Sequence, residues 1–124
     1  MAERLNWSYA AQADGGPSVA GAGVIEVDAY VKVSVTIPAG ATQAVEVLPG
    51  TGAPLRLLVI APAAPSADLT YAAGGADIPL DGPHVLVGAG AVALLADPVG
   101  TLSFTNGTAA DARVDILAGR DATP

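Results

Sequence analysis

Cysteine is absent from this 124-residue chain, so no disulfide braces the fold and no thiol is available for redox or nucleophilic chemistry. Histidine occurs once, at position 84. A zinc site built from several His and Cys ligands is therefore excluded. Aromatic residues are scarce, with one Trp, one Phe and three Tyr, so any core must be aliphatic. Bases are few as well: five Lys and Arg stand against twelve Asp and Glu, a net charge of −7. A surface of that sign repels phosphate backbones, which argues against nucleic-acid binding through a basic face. No apolar run is long enough and free enough of Gly and Pro to span a membrane. The start, Met1-Ala2-Glu3-Arg4-Leu5, lacks the basic segment and apolar stretch of a signal peptide. The expectation is a product made in the cytoplasm that later assembles, with neither nucleic acid nor membrane as partner.

What is present is aliphatic and punctuated. Leu, Ile, Val and Phe total 32 residues, enough for one core and too many for a disordered chain. Gly and Pro together make up a fifth of the sequence and fall between apolar runs, as turns do in a β protein. The length fits a single domain over 1–124, with 1–22 as an N-terminal arm or first strand plus linker and 119–124 as a loose tail.

The clearest pattern runs from Gly23 to Ile37. Ile25, Val27, Ala29, Val31, Val33, Val35 and Ile37 alternate with Glu26, Asp28, Tyr30, Lys32, Ser34 and Thr36. Side chains alternate faces along a strand, so this period of two puts a β-branched stripe on a core and a polar stripe in water. The run exceeds an ordinary strand, which predicts a bend or a split. Pro38-Ala39-Gly40 ends it. Shorter strands are expected over Arg4–Tyr9, Gln43–Leu48, Leu55–Ala61, Asp68–Tyr71, Ile78–Val87 with a break at Asp81-Gly82-Pro83, Ala91–Leu95, Leu102–Thr105 and Ala112–Leu117. Leu55–Ala61 is apolar except for Arg56, as in a central strand covered on both faces. Ala10–Ala13 could form a helical turn, Asp14–Gly23 reads as a mobile linker, and Asn106-Gly107 as a hairpin turn. These elements predict an all-β fold, an antiparallel sandwich or jelly-roll-like barrel of about eight short strands.

The search for chemistry yields little. His84 has no nucleophile-elbow motif to serve, and reads as a strand-end or interface residue. Asp14 beside Gly15-Gly16 and Asp81 beside Gly82 lack the dense acidic spacing of a calcium loop and read as turn residues. Glu26 and Asp28 share a strand face, but so do residues of any solvated stripe. Gly88-Ala89-Gly90 lacks the Lys-Ser/Thr of a phosphate loop, and Asn106-Gly107-Thr108 matches a glycosylation sequon that turn chemistry explains. No catalytic, cofactor-binding or metal-ligating residue emerges. Trp7 and Tyr9 could stack on a sugar, yet their common face with Leu5 favours a core or subunit interface. The apolar strand Leu55–Ala61 and the Ala-rich Ala91–Leu95 add a flat surface that could be buried between subunits. The candidate interface residues are Leu5, Trp7, Tyr9, Leu57 and Val59.

The order of elements carries a resemblance. Thr36-Ile37-Pro38-Ala39-Gly40-Ala41-Thr42 follows the long strand; Val45-Glu46-Val47, Leu55–Ile60, Ile78-Pro79-Leu80-Asp81-Gly82-Pro83, Val85-Leu86-Val87, Gly100–Gly107 and Ala112–Leu117 come after it. From Gly23 to Leu117 this resembles small β-rich proteins encoded among the head and structural genes of tailed bacteriophages, although it is richer in Ala, Gly and Pro. The resemblance implies a non-enzymatic virion component without cofactor, most simply a capsid decoration (cement) protein on the outer capsid surface. Its expected partners are the major capsid protein or other virion subunits, and further copies of itself in a homo-oligomer. A tail or neck component is the nearest variant. A carbohydrate- or cell-surface-binding sandwich module is the alternative of a different class.

Overall fold

The computed structural model describes residues 3–47, 55–95 and 101–120. The described residues form ten strands and one helical turn: β1 (Glu3–Gln12), β2 (Ser18–Val27), β3 (Ala29–Ile37), β4 (Thr42–Glu46), β5 (Leu55–Pro62), β6 (Ser66–Ala72), β7 (Ile78–Leu80), β8 (His84–Val87), α1 (Ala89–Val92), β9 (Thr101–Asn106) and β10 (Ala112–Arg120). Two four-stranded antiparallel sheets form the body, a front sheet in the order β3-β10-β5-β8 and a back sheet in the order β4-β9-β6-β7. β1 and β2 pair only with each other, as a separate two-stranded sheet. The body is thus an open sandwich. The barrel alternative does not apply.

The alternation predicted for Ile25–Ile37 is observed position by position. Ile25, Val27, Val35 and Ile37 are buried, Ala29, Val31 and Val33 are half-buried, and every even residue from Glu26 to Thr36 is exposed. The run splits at Asp28, whose N–H donates to the Arg120 carbonyl at 2.9 Å. β2 before it belongs to the hairpin, and β3 after it is a front-sheet edge. Inside the sandwich, Val35, Ile37, Leu58, Ile60, Val114 and Ile116 from the front sheet pack with Val45, Leu69, Tyr71, Leu80, Leu102 and Phe104 from the back. β5 is central, as its apolar run predicts. Leu58 and Ile60 face the core, whereas Leu57, also buried, stands outside that cluster opposite Gly119.

Several local expectations are overturned. Ala91–Leu95 is not a strand. Gly88 adopts φ 96°, ends β8, and accepts an N–H from Val92 at 3.1 Å, opening the helical turn. Alanine favours that turn, and only Val92 reaches the core. Ala10–Ala13 is not helical, because β1 runs on to Gln12 opposite Ser18. The presumed linker 14–23 is instead a tight tip and the first half of β2, with the Ala13 N–H bonded to the Pro17 carbonyl at 2.9 Å. Gly119 and Arg120 complete β10 and are no part of a loose tail, while the rest of that expected tail and Leu48 lie outside the described residues.

Asn106-Gly107 does not form a hairpin turn, since β9 and β10 lie in different sheets. The chain crosses from back to front there, around the fully buried Asn106. Its Nδ2 donates to the carbonyls of Ile37 (2.9 Å) and Ala110 (2.8 Å), and its Oδ1 accepts from the Thr108 N–H (2.9 Å) and hydroxyl (2.6 Å). All four side-chain bonding positions are filled. The main chain joins in: Asn106 N–H donates to Ala41 O, and Gly40 N–H to Asn106 O. One side chain ties the β3–β4 turn to the crossover.

Candidate interaction surface

The β1–β2 hairpin stands on the outer face of the front sheet. Alternation puts Leu5, Trp7 and Tyr9 on one side of β1, opposite Ile25, Gly23 and Gly21 of β2. At the base, contact is close. A Cβ added to Gly119 of β10 would come 2.8 Å from Leu5 Cδ1 and 3.2 Å from Val27 Cγ1, so any larger residue must push these side chains aside for the hairpin to seat there. Ile25, Val27 and Leu57 are buried outside the sandwich cluster, and Arg56 fastens the hairpin base by donating from Nη1 to the Glu26 carbonyl at 3.0 Å. Beyond the base, every residue from Ser8 to Ala20 is exposed. The hairpin projects as an arm.

Trp7 and Tyr9 lie flat because their cross-strand partners have no side chains. A Cβ at Gly23 would meet Trp7 Cζ2 at 2.6 Å, and one at Gly21 would meet Tyr9 Cε1 at 2.8 Å. The two rings are parallel within 5°, with centroids 6.0 Å apart. Together with Ser8 they form one wall of a groove of about 430 Å³, whose other wall is Val85 and Val87 of β8 and Ala91 of α1. Val85 and Val87 pair in register with Val59 and Leu57, so all four share the outer face of the front sheet.

The structure therefore brings the five candidate residues to one region, in different states. Leu57 is buried beneath the hairpin side, Leu5, Trp7 and Val59 are half-buried, and Tyr9 is exposed. Sequence reasoning missed Val85, Val87 and the two glycines, and included Ala91 only as the start of an expected strand. Gly21-Ala22-Gly23 opposite Trp7-Ser8-Tyr9 becomes visible only once a hairpin with its tip at Asp14-Gly15-Gly16 is recognised, and the linker reading concealed it.

The other candidates fall elsewhere. His84 is turned into the sandwich, where its Nδ1 lies 2.7 Å from the Tyr71 hydroxyl, joining front and back sheets. Burial pushes the Tyr71 hydroxyl up to about 12, so it stays protonated at neutral pH, and the His84 tautomer decides which of the two atoms donates. Asp115, on the outer front face, is held below the usual carboxylate range by the Ser34 hydroxyl at 2.6 Å, helped by Arg113 and Lys32. Glu26, Asp28, Asp14 and Asp81 are exposed, and no group of three potential metal-ligating His, Asp or Glu side chains occurs among the described residues. The sequon amide of Asn106 has both hydrogens engaged in the interior. Among the described residues, no helix is long and apolar enough to cross a membrane.

No protein-family model, curated protein or solved structure matches this chain. Function must be argued from the surface itself.

Proposed function

We propose that this chain is a non-enzymatic structural subunit of a tailed-phage virion, a decoration protein that binds the outer capsid surface. The observation that carries the reading is the projecting β1–β2 arm with the apolar groove at its root, set on an otherwise acidic sandwich. Isolated two-stranded ribbons are marginal in water, so an arm exposed on both faces is best understood as an element stabilised by assembly. Decoration proteins work by burying area in many copies, which needs no reactive group. The resemblance in element order supports the same class, and the major capsid protein is the natural partner.

Co-sedimentation of the purified chain with virions or empty capsids tests the reading. Saturable binding is expected; a chain that stays in the supernatant with every particle overturns it. Binding to tails or necks alone would move the site to the nearest variant. A second reading, a carbohydrate-binding module, draws on the parallel faces of Trp7 and Tyr9, although Val85, Val87 and Ala91 opposite them are apolar. A glycan array showing binding that Trp7→Ala abolishes would favour it.

A further inference from the structure

We infer that the arm and its groove form a self-complementary interface, in which the arm of one copy lies on the β8–α1 wall of a second copy of this chain. The inference deepens the assembly reading above and rests on it for biological context only.

The first argument is the distribution of charge. Soluble surfaces usually intersperse both signs. Residues 5–13 and 15–25 of the arm and 85–95 of the groove wall contain no Asp, Glu, Lys or Arg, although the chain's charged share of 14% would place about four in a stretch that long. Only Asp14, at the tip, breaks the arm. Two copies of net charge −7 repel wherever acidic surfaces meet. This is a face on which like-charged copies can touch without opposing carboxylates.

The second argument is where the large apolar side chains stand. Tyr9 (51% exposed), Val19 (64%) and Val24 lie on the arm, and Val85 (50%) and Leu94 (81%) on the β8–α1 flank; of the exposed large apolar residues among those described, Tyr30 alone lies elsewhere. The third is size and symmetry. Thirteen consecutive arm residues are exposed, about half of them on the Trp7–Tyr9 face, so with the groove walls the contact is smaller than the roughly 20 residues a side of a standard interface and suits reversible association. Arm and wall sit side by side on one molecule, so a two-fold axis lets each arm tip cover the other copy's Val85 in two equivalent contacts. Among the described residues, the ten-residue strands of the arm pair only with each other, which leaves an edge of each open to the partner.

Sedimentation velocity across micromolar concentrations tests the inference. Wild type should associate reversibly. Val19→Glu and Val85→Glu, each at an exposed site, should weaken association at least about tenfold with an unchanged circular-dichroism spectrum. Mixing Val19→Lys with Val85→Glu should restore it, because one arm then places a Lys beside the other copy's Glu. A monomeric wild type, or single variants that associate like wild type, overturns the inference. Co-sedimentation of the same preparations with capsids separates the two claims. A monomer that binds capsids, and loses them on Val19→Glu, assigns the arm to a capsid protein and overturns self-pairing alone. An oligomer that binds no particle overturns the virion reading alone.

Discussion

Replacing Asn106 by Ala would remove four hydrogen bonds at once from the sandwich corner. Each is worth about 0.5–1.5 kcal/mol net, and a buried acceptor left without a donor costs about 1–3 kcal/mol. The Ile37 carbonyl is the acceptor most exposed to that penalty, because its bond to Asn106 is buried. The Ala110 carbonyl lies 2.8 Å from the Thr108 hydroxyl, whose single proton turns to it once Asn106 Oδ1 is gone, so its loss is partial. Taken at the lower ends of these ranges they already sum to about 3 kcal/mol, a large fraction of the roughly 5–15 kcal/mol that holds a domain folded. Urea denaturation followed by far-ultraviolet circular dichroism reads this directly: the midpoint should fall while the slope with denaturant stays constant. Asn106→Asp sharpens the test. It keeps both accepted bonds, loses both donated ones, and sets a carboxylate against two carbonyl oxygens. Protonation relieves that repulsion, so this variant should gain stability relative to wild type as pH falls from neutrality. A loss below about 1 kcal/mol for Asn106→Ala would refute the clamp, since that is the scale of one ordinary hydrogen bond.

Tyr71→Phe should cost about 1–2 kcal/mol by leaving His84 Nδ1 without the hydroxyl, measured in the same urea assay. Because burial raises the Tyr71 pKa to about 12 from 10.0, the neutral form is favoured by folding; stability from this group is complete below pH 10 and is lost as pH rises through 12, a loss that Tyr71→Phe should lack. Asp115 has the opposite sign: its lowered pKa contributes stability above the ordinary carboxylate range, lost as pH falls through the depressed value. Ser34→Ala should therefore raise the Asp115 pKa in an NMR titration, and unchanged titration would discount the Ser34 bond. Gly119→Leu should cost about 1–3 kcal/mol and unseat the hairpin base, seen as faster proteolysis within residues 8–20 while the sandwich stays folded; an arm as resistant as wild type would contradict the seating.

How much of this was legible beforehand follows from what periodicity encodes. A period of two identifies a strand and its buried face, which is why Ile25–Ile37, the core residues Val45 and Val47, and the doubly covered Leu55–Ala61 could be read directly. It carries no information where small residues fill both faces. From Ala10 to Gly23, ten of fourteen residues are Ala, Gly or Ser, so β2's first half reads as a linker, and the Ala-rich Ala91–Leu95 reads as a strand for the same reason.

The sequence by itself determined an all-β chain with an aliphatic core and an acidic surface, because composition and alternation follow from residue identity alone. Tertiary structure decided which strands meet. Nothing local distinguishes β3 pairing with β10 from β3 pairing with β4, since each strand offers the same alternating face and the choice depends on contacts some eighty residues apart. Tertiary structure likewise turned Asn106 from a turn residue into a buried clamp. It also laid Trp7 and Tyr9 flat over two glycines, forming a groove from residues separated by most of the chain. Packing set these outcomes, because a side chain's neighbours across a sandwich are fixed only when both sheets close on a common core.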